Sequence, residues 1–213
     1  MGRESMLDRM PPTREGLIAE LGLRVADARV LAAIAAVPRD LFVPPERRHA
    51  AWANEALPIG GGQTISQPLV VAHMAELLAI REGDRVLDVG TGSGYHAAIL
   101  ARLGGRVWSI ERDRTLSARA AENLATAGVE GVELVVGDGT RGHPPAAPYD
   151  AINVAASARD GVPDALVDQL APGGRLVIPV GERLILIHRD RGGALHRRDA
   201  GGVRFVPLVP GDV

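Results

Sequence analysis

From Asp84 onward the chain alternates short apolar runs with stretches of helical periodicity, and that rhythm limits the folds open to it. Arg85–Val89, Arg106–Ile110, Val132–Val136, Tyr149–Ala155 and Gly174–Val180 read as strands. Tyr95–Leu103, Leu116–Gly128 and Val162–Leu170 read as helices between them. Apolar strands separated by amphipathic helices bury both faces of their sheet, so the sheet is expected to be parallel with helices on either side. Arg183–Arg189 and Gly202–Val209 have no helix between them and are expected to close the sheet as antiparallel strands. The fold class is therefore α/β.

Ahead of that core the pattern differs. Arg14–Val37 is apolar at helical spacing, interrupted at Gly22 and ended before Pro38, since the residue preceding a proline is pushed out of the helical region. A proline- and glycine-rich stretch follows, with a short helix near Pro45–Ala53. Gly60, Gly61 and Gly62 then lead a tight turn into "QTISQP". Pro68 suits the first turn of a helix running towards Ile80, with Ser66 or Gln67 at its cap. The expected division is 1–80 for an N-terminal helical cap with a substrate loop and 81–213 for the core.

Composition removes several classes of function. The 213 residues are 46% hydrophobic and 23% charged, enough for one core, and the net charge of -2 gives no basic footprint for nucleic acid or membrane. There is no cysteine, which excludes disulfides and thiolate chemistry. The six histidines never fall in HxH or HxxxH spacing, so no metal is expected. Met1–Gly16 carries no apolar signal-like stretch and no eighteen apolar residues run together, which makes the cytoplasm the expected location.

The most informative stretch is "RVLDVGTGSGYHAAIL". A strand ends in Asp88-Val89, and Gly90, Thr91, Gly92, Ser93 and Gly94 turn directly into a helix. Such a turn lets the backbone approach a ligand, and the helix start offers free N–H groups to an anionic group. The spacing is GxGxG rather than the GxGxxG of dinucleotide sites, the form typical of S-adenosylmethionine methyltransferases. Glu111 ends the next strand about twenty residues after Gly90, where an acid can accept both ribose hydroxyls. Asp138-Gly139 ends the third, where a short acid can accept from the adenine amino group. Ligands sit outside the carboxyl ends of such strands, so the expected cofactor is S-adenosyl-L-methionine.

"ALPIGGGQTISQP", "VLDVGTGSGY", "GDG", "PGGRLVIPVG" and "VRFVPLV", in this order, resemble the protein-L-isoaspartate O-methyltransferase family over about Val37–Val209. The resemblance implies a Rossmann-like class I methyltransferase, its mostly parallel twisted sheet flanked by helices, with C-terminal antiparallel strands. It implies methylation of the free α-carboxylate of L-isoaspartyl residues in damaged proteins and peptides by a cytosolic monomer. Ser66 matches the family's active-site serine, and Thr64 and Ile65 share its substrate and cofactor loop. Thr64 and Ser66 are the catalytic and substrate-binding candidates, joined at the acceptor by Val206, Pro207 and Leu208. Ile65, Gly90, Thr91, Gly92, Ser93, Gly94, Glu111, Asp138 and Gly139 are the cofactor set.

An acceptor carboxylate of pKa about 4 is already ionised at neutral pH, so alignment matters more than a general base. A serine hydroxyl donating to one carboxylate oxygen would direct the other; the plainer role for Ser66 is to cap the helix at Pro68. Asp88 is expected to brace the glycine turn through backbone N–H groups, Tyr95 and His96 to border the cofactor, with packing or a surface position the plainer role for His96, and His73 to lie at a core or rim position. "RDRGGALHRRD" reads as a charged, solvated hairpin-like loop, and Asn54 and Glu55 as loop residues with approach to a peptide as the alternative. Asn153-Val154-Ala155 and Gly142-His143-Pro144 depart from the family's usual sequence, the first beside the reacting centre. Two other functions share the cradle: carboxyl methylation of aspartate during maturation of a ribosomal peptide natural product, and non-catalytic binding of S-adenosylmethionine. The D/N-P-P-Y/F sequence of nucleic-acid amine methyltransferases is absent.

Overall fold

A computed structural model provides the fold; it describes residues 11–211, so the outermost ends of the 1–80 and 81–213 segments lie outside the described residues. Helix α1 (Arg14–Leu21) is capped by Thr13 and α2 (Ala28–Ala36) by Asp27, each accepting from a backbone N–H of the first turn. Val37, before Pro38, is extended and ends α2. Two 3₁₀ turns, Arg39–Phe42 and Pro45–Ala50, lead to a small hairpin of β1 (Leu57–Gly60) and β2 (Gln63–Ile65). Sequence periodicity did not reveal these strands, which are too short to show alternation.

Helix α3 (Pro68–Leu78) begins with Gln67 at its N-cap, but Gln67 makes no side-chain cap bond. Asn54 does that work from a distance: its Oδ1 accepts from Leu69 N at 3.0 Å, and its carbonyl accepts from Gln67 Nε2 at 2.9 Å. Neither the Ser66 cap nor a substrate contact is needed to account for these residues. The cap escaped sequence analysis because it lies outside the local window in which capping patterns are read.

The main sheet contains β3 (Arg85–Val89), β4 (Arg106–Glu111), β5 (Val132–Val136), β6 (Tyr149–Val154), β7 (Leu170–Val180), β8 (Arg183–Arg189) and β9 (Leu195–Gly202), in the order β5-β4-β3-β6-β7-β8-β9. The first five strands in that order are parallel, and β8 and β9 are antiparallel. Helices α4 (Tyr95–Arg102), α5 (Arg114–Thr126) and α6 (Asp164–Asp168) lie between strands along the chain. Alternation sends Val86, Val107, Ala151 and Val177 into a core shared with α1–α5, and Leu87, Trp108, Ile152 and Leu176 into a second core with α6. Burying each large apolar side chain contributes roughly 1.5–3 kcal/mol, so covering both faces needs the continuous apolar strands read in the sequence.

One strand assignment is corrected. The last strand is Leu195–Gly202, within and beyond the stretch read as a charged loop, whereas Gly202–Val209 does not form the expected antiparallel strand. Asp190 explains the difference: its carbonyl accepts from Gly193 N at 3.0 Å and its Oδ1 from Ala194 N at 2.9 Å, closing a tight turn that returns the very next residues along β8. Arg197 and Arg198 are tolerated because β9 is an exposed edge, where charge also discourages further strand pairing. His73 Nε2 lies 3.1 Å from the Ala200 carbonyl and ties α3 to this strand.

Replacing Asn54 with alanine should lower the unfolding free energy by about 1 kcal/mol, or roughly 2–4 °C in Tm, by removing the cap. Urea and thermal melts measure this. An unchanged Tm together with a raised KM for peptide would assign Asn54 to substrate instead.

Candidate active site

The chain runs from β3 outward to β4 and β5, then crosses back to place β6 on the other side of β3. Neighbouring connections therefore leave in opposite directions at the carboxyl ends of β3 and β6, opening a crevice there. A cavity of about 310 Å³ occupies this position. Gly90, Thr91, Gly92 and Ser93 form its floor, Ile65 and Ser66 approach from the hairpin side, and Glu111 and Gly139 come from the next two strand ends.

The glycine turn has a backbone that side chains resist. Gly90, Gly92 and Gly94 have φ of +91°, +54° and +89°. A Cβ on Gly94 would lie 3.3 Å from Leu124 Cγ, so the turn also packs closely on α5. No side chain caps α4 at Gly94, leaving the first-turn N–H groups available to an occupant of the cavity. Glu111 Oε2 accepts from Gly92 N at 2.9 Å and Oε1 from Asp113 N at 3.0 Å. A carboxylate has about four lone-pair sites, so Glu111 can brace the turn and still accept from a diol.

Beneath the turn runs a polar chain that sequence analysis did not anticipate. Asp88 is in register with Ser109 on β4 and Asn153 on β6, so all three side chains project to one face of the sheet. Ser109 Oγ donates to Asp88 Oδ2 at 2.7 Å, Asn153 Nδ2 donates to Oδ1 at 2.7 Å, and Thr91 Oγ1 lies 2.7 Å from Ser109 Oγ. Asp88 thus braces the turn through side chains, not through the backbone N–H groups expected for it. Asn153, flagged as a departure near the reacting centre, is fully buried in this network and does not line the cavity. Burial pushes the Asp88 carboxyl up to about 6, against the opposing effect of the Ser109 and Asn153 hydrogen bonds.

A second cavity of about 770 Å³ lies alongside the first. Thr64, Ser66, Ala155 and Val206 line both. Its remaining wall includes Gln67, Val70, Arg204 and Phe205. The 203–208 stretch is held there by Ser157, whose N–H donates to the Val206 carbonyl at 2.7 Å and whose carbonyl accepts from Leu208 N at 2.8 Å. Pro207 and Leu208 thereby reach the first cavity along with Val206. The half-buried Ser66 side chain makes no hydrogen bond to the described residues, so its hydroxyl is available at the junction.

Asp138 stands apart. It lines a third cavity of about 320 Å³, which meets the first at Ile110. Its Oδ1 accepts from Thr140 N and Thr140 Oγ1, and its Oδ2 lies 3.4 Å from Gly211 N. Burial acts to raise its pKa, but the hydrogen bonds and Arg141 outweigh that and hold the carboxyl below its ordinary range. The departing loop at Gly142-His143-Pro144 borders this third cavity and is tied down by Gln169, whose Oε1 accepts from His143 N at 2.8 Å. Ala155, the last residue of the strand end flagged beside the reacting centre, does line the cavity; Val71, inside α3, was missed and carried no such signal.

The first cavity suits S-adenosylmethionine on its own geometry. The side-chain-uncapped start of α4 offers N–H groups to a carboxylate, and Glu111 keeps acceptor sites for a ribose diol; Tyr95 and His96 also line the wall, with the Tyr95 hydroxyl and the His96 ring nitrogens buried behind it. Burial pushes His96 down to about 4, so its imidazole is neutral at physiological pH. No His/Asp/Glu group suited to a metal occurs among the described residues, and no helix among them is long and apolar enough to cross a membrane.

The Asp88 network can be tested by pH. Its folded-state pKa is raised from 3.8 to about 6, so in that window the folded chain keeps a proton the unfolded chain has lost, and stability falls as pH rises. The unfolding free energy of the parent minus that of Asp88→Asn should therefore decrease by roughly 2 kcal/mol between pH 4 and 7. Paired urea titrations measure the difference, and a flat curve would rule out the elevated carboxyl.

Comparison with known proteins identifies the family. Residues 14–212 match the family model described as Protein-L-isoaspartate(D-aspartate) O-methyltransferase (PCMT). The protein-L-isoaspartate O-methyltransferase of Methanoculleus marisnigri is 54% identical over 190 residues, covering 87% of this chain and 85% of that relative. A solved structure titled protein-L-isoaspartate O-methyltransferase is 29% identical with a TM-score of 0.80, covering 92% of this chain and 65% of that one. Another, from Plasmodium falciparum in complex with S-adenosyl-L-homocysteine, shares the fold at 24% identity and a TM-score of 0.81. The chain belongs to the protein-L-isoaspartate(D-aspartate) O-methyltransferase family.

Proposed function

We infer that the protein transfers a methyl group from S-adenosylmethionine to the free α-carboxylate of L-isoaspartyl residues in damaged proteins, the ester then closing to a succinimide and so beginning repair. The observation that carries this reading is the shared wall of Thr64, Ser66, Ala155 and Val206 between a cofactor-sized cavity and a groove able to admit a peptide. Family membership and the 54% identical relative support the choice of acceptor.

When bound, S-adenosylmethionine supplies an electrophilic methyl on a sulfonium whose departure leaves a neutral thioether. Gly90–Gly94 and the start of α4 would hold its amino-acid end, and Glu111 its ribose. Asp138 and Gly139 serve the adenine end, where the first and third cavities adjoin. Ser66 would donate a hydrogen bond from its hydroxyl to one oxygen of the acceptor carboxylate and so orient the other, which attacks the methyl as the sulfonium leaves. Thr64 steadies the same acceptor from the neighbouring strand. Ile65, Val71, Val206 and Leu208 keep water from the reacting atoms. Because the acceptor is already an anion, none of these residues has to remove a proton.

The same reading takes the enzyme to act as a monomer in the cytoplasm.

Labelled methyl transfer to matched peptides containing isoaspartate, L-aspartate or D-aspartate tests the acceptor. Transfer to isoaspartate should dominate; preference for the ordinary L-aspartyl peptide would favour natural-product maturation, and binding without transfer would leave a cofactor module. Ser66→Ala should lower kcat about 10- to 100-fold, the loss of one hydrogen bond to a charged group. Its affinity for S-adenosyl-L-homocysteine by calorimetry should stay within about twofold, since a single uncharged hydroxyl away from the cradle is removed. Parent-like turnover in this variant would end the role given to Ser66.

A further inference from the structure

Arg39 is fully buried and forms no ion pair with a described carboxylate. Its guanidinium instead donates to three backbone carbonyls: Nε to Ala51 at 2.9 Å, Nη1 to Ser66 at 2.9 Å and Nη2 to Glu55 at 3.0 Å. Its Cζ lies 5.0 Å from the centroid of the Tyr95 ring. Tyr95 opens α4 and lines the first cavity. One planar cation therefore touches the end of a 3₁₀ turn, both ends of the β1–β2 hairpin and the first residue of the cofactor-facing helix.

A buried charge is costly, and a hydrophobic side chain of similar volume would fill the space at less cost. Here the charge is spread over carbonyl dipoles and an aromatic face, the arrangement for which a rigid fork of donors is suited and a lysine is not. Glu55, two residues before β1, and Ser66, the residue after β2, flank the hairpin, whose outermost cross-strand pair is Leu57 with Ile65. Holding both carbonyls from one group fixes the hairpin at its base. Fixing Ser66 at its carbonyl leaves only its side-chain rotation free, so the hydroxyl is presented to the cavity junction from a settled backbone.

We propose that Arg39 is a positioning residue for methyl transfer: its guanidinium clamps the base of the β1–β2 hairpin and, through the Ser66 carbonyl and the Tyr95 ring, sets the Ser66 hydroxyl relative to the cofactor cavity. This rests on the role given to Ser66 above. Arg39 acts through Ser66 and touches neither substrate nor cofactor.

A double-mutant cycle separates positioning from general support of the fold. Arg39→Lys, with folding checked by circular dichroism and urea titration, should lower kcat for an isoaspartyl peptide about tenfold, with affinity for S-adenosyl-L-homocysteine within about threefold of the parent. Introduced into Ser66→Ala, the same change should lower transfer by no more than about twofold, because the group it positions is gone. Full multiplication of the two effects, or unchanged kcat in folded Arg39→Lys, overturns the proposal. If Ser66→Ala itself retains parental turnover, the fault lies instead with the role of Ser66.

Nuclear magnetic resonance of the parent chain supplies a test that needs no variant. The Arg39 guanidinium should show separate, slowly exchanging N–H signals with a hydrogen-bond coupling to the Ser66 carbonyl carbon. A freely rotating, averaged guanidinium signal overturns the clamp.

Discussion

The Asp88 carboxyl, held between Ser109 and Asn153, links the ends of three parallel strands just below the glycine turn. Because β4, β3 and β6 are in register, one buried group on the middle strand can be satisfied from both sides. Thr91 extends the chain into the turn itself. Removing one member would leave buried polar atoms unpaired, which costs more than an average hydrogen bond contributes. The shape of the cofactor cradle thus depends on polar groups in the sheet interior as well as on the conformational freedom of Gly90, Gly92 and Gly94.

Two supports, built differently, meet at the site. The cofactor side is rigid because it belongs to a sheet with cores on both faces. The acceptor side is assembled from irregular pieces: the nine-residue hairpin from Leu57 to Ile65, the start of α3 and the stretch through Val206. Short segments of this kind have little stability of their own. Side chains from elsewhere hold them, with Arg39 at the hairpin base, Asn54 at the start of α3 and Ser157 against the C-terminal stretch. For transfer to an acceptor that is already ionised, this precision of placement is the main chemical contribution the protein can make.

The α/β class, the central strands and helices, the glycine turn and Glu111 were all legible in the sequence. Each leaves a local trace: apolar runs of strand length, helical periodicity, or glycine at a strand end. The β1–β2 hairpin was seen only as a turn, since strands of four and three residues carry almost no period. Gly202–Val209 looked like a strand because it is apolar, but the turn at Asp190–Gly193 had already selected Leu195–Gly202 to pair with β8. Asp88 was noticed as an acid before the turn, while its true partners depended on strand register.

The sequence by itself determined that a parallel sheet would form and would carry a glycine-lined ligand site at one edge, because those properties follow from side-chain period and backbone freedom within a few residues. Only the tertiary structure decided which distant groups meet there. Ser109 and Asn153 are 21 and 65 positions from Asp88, and Arg39 is 27 from Ser66. Such meetings are fixed by strand order, register and packing, and no periodicity along the chain encodes them.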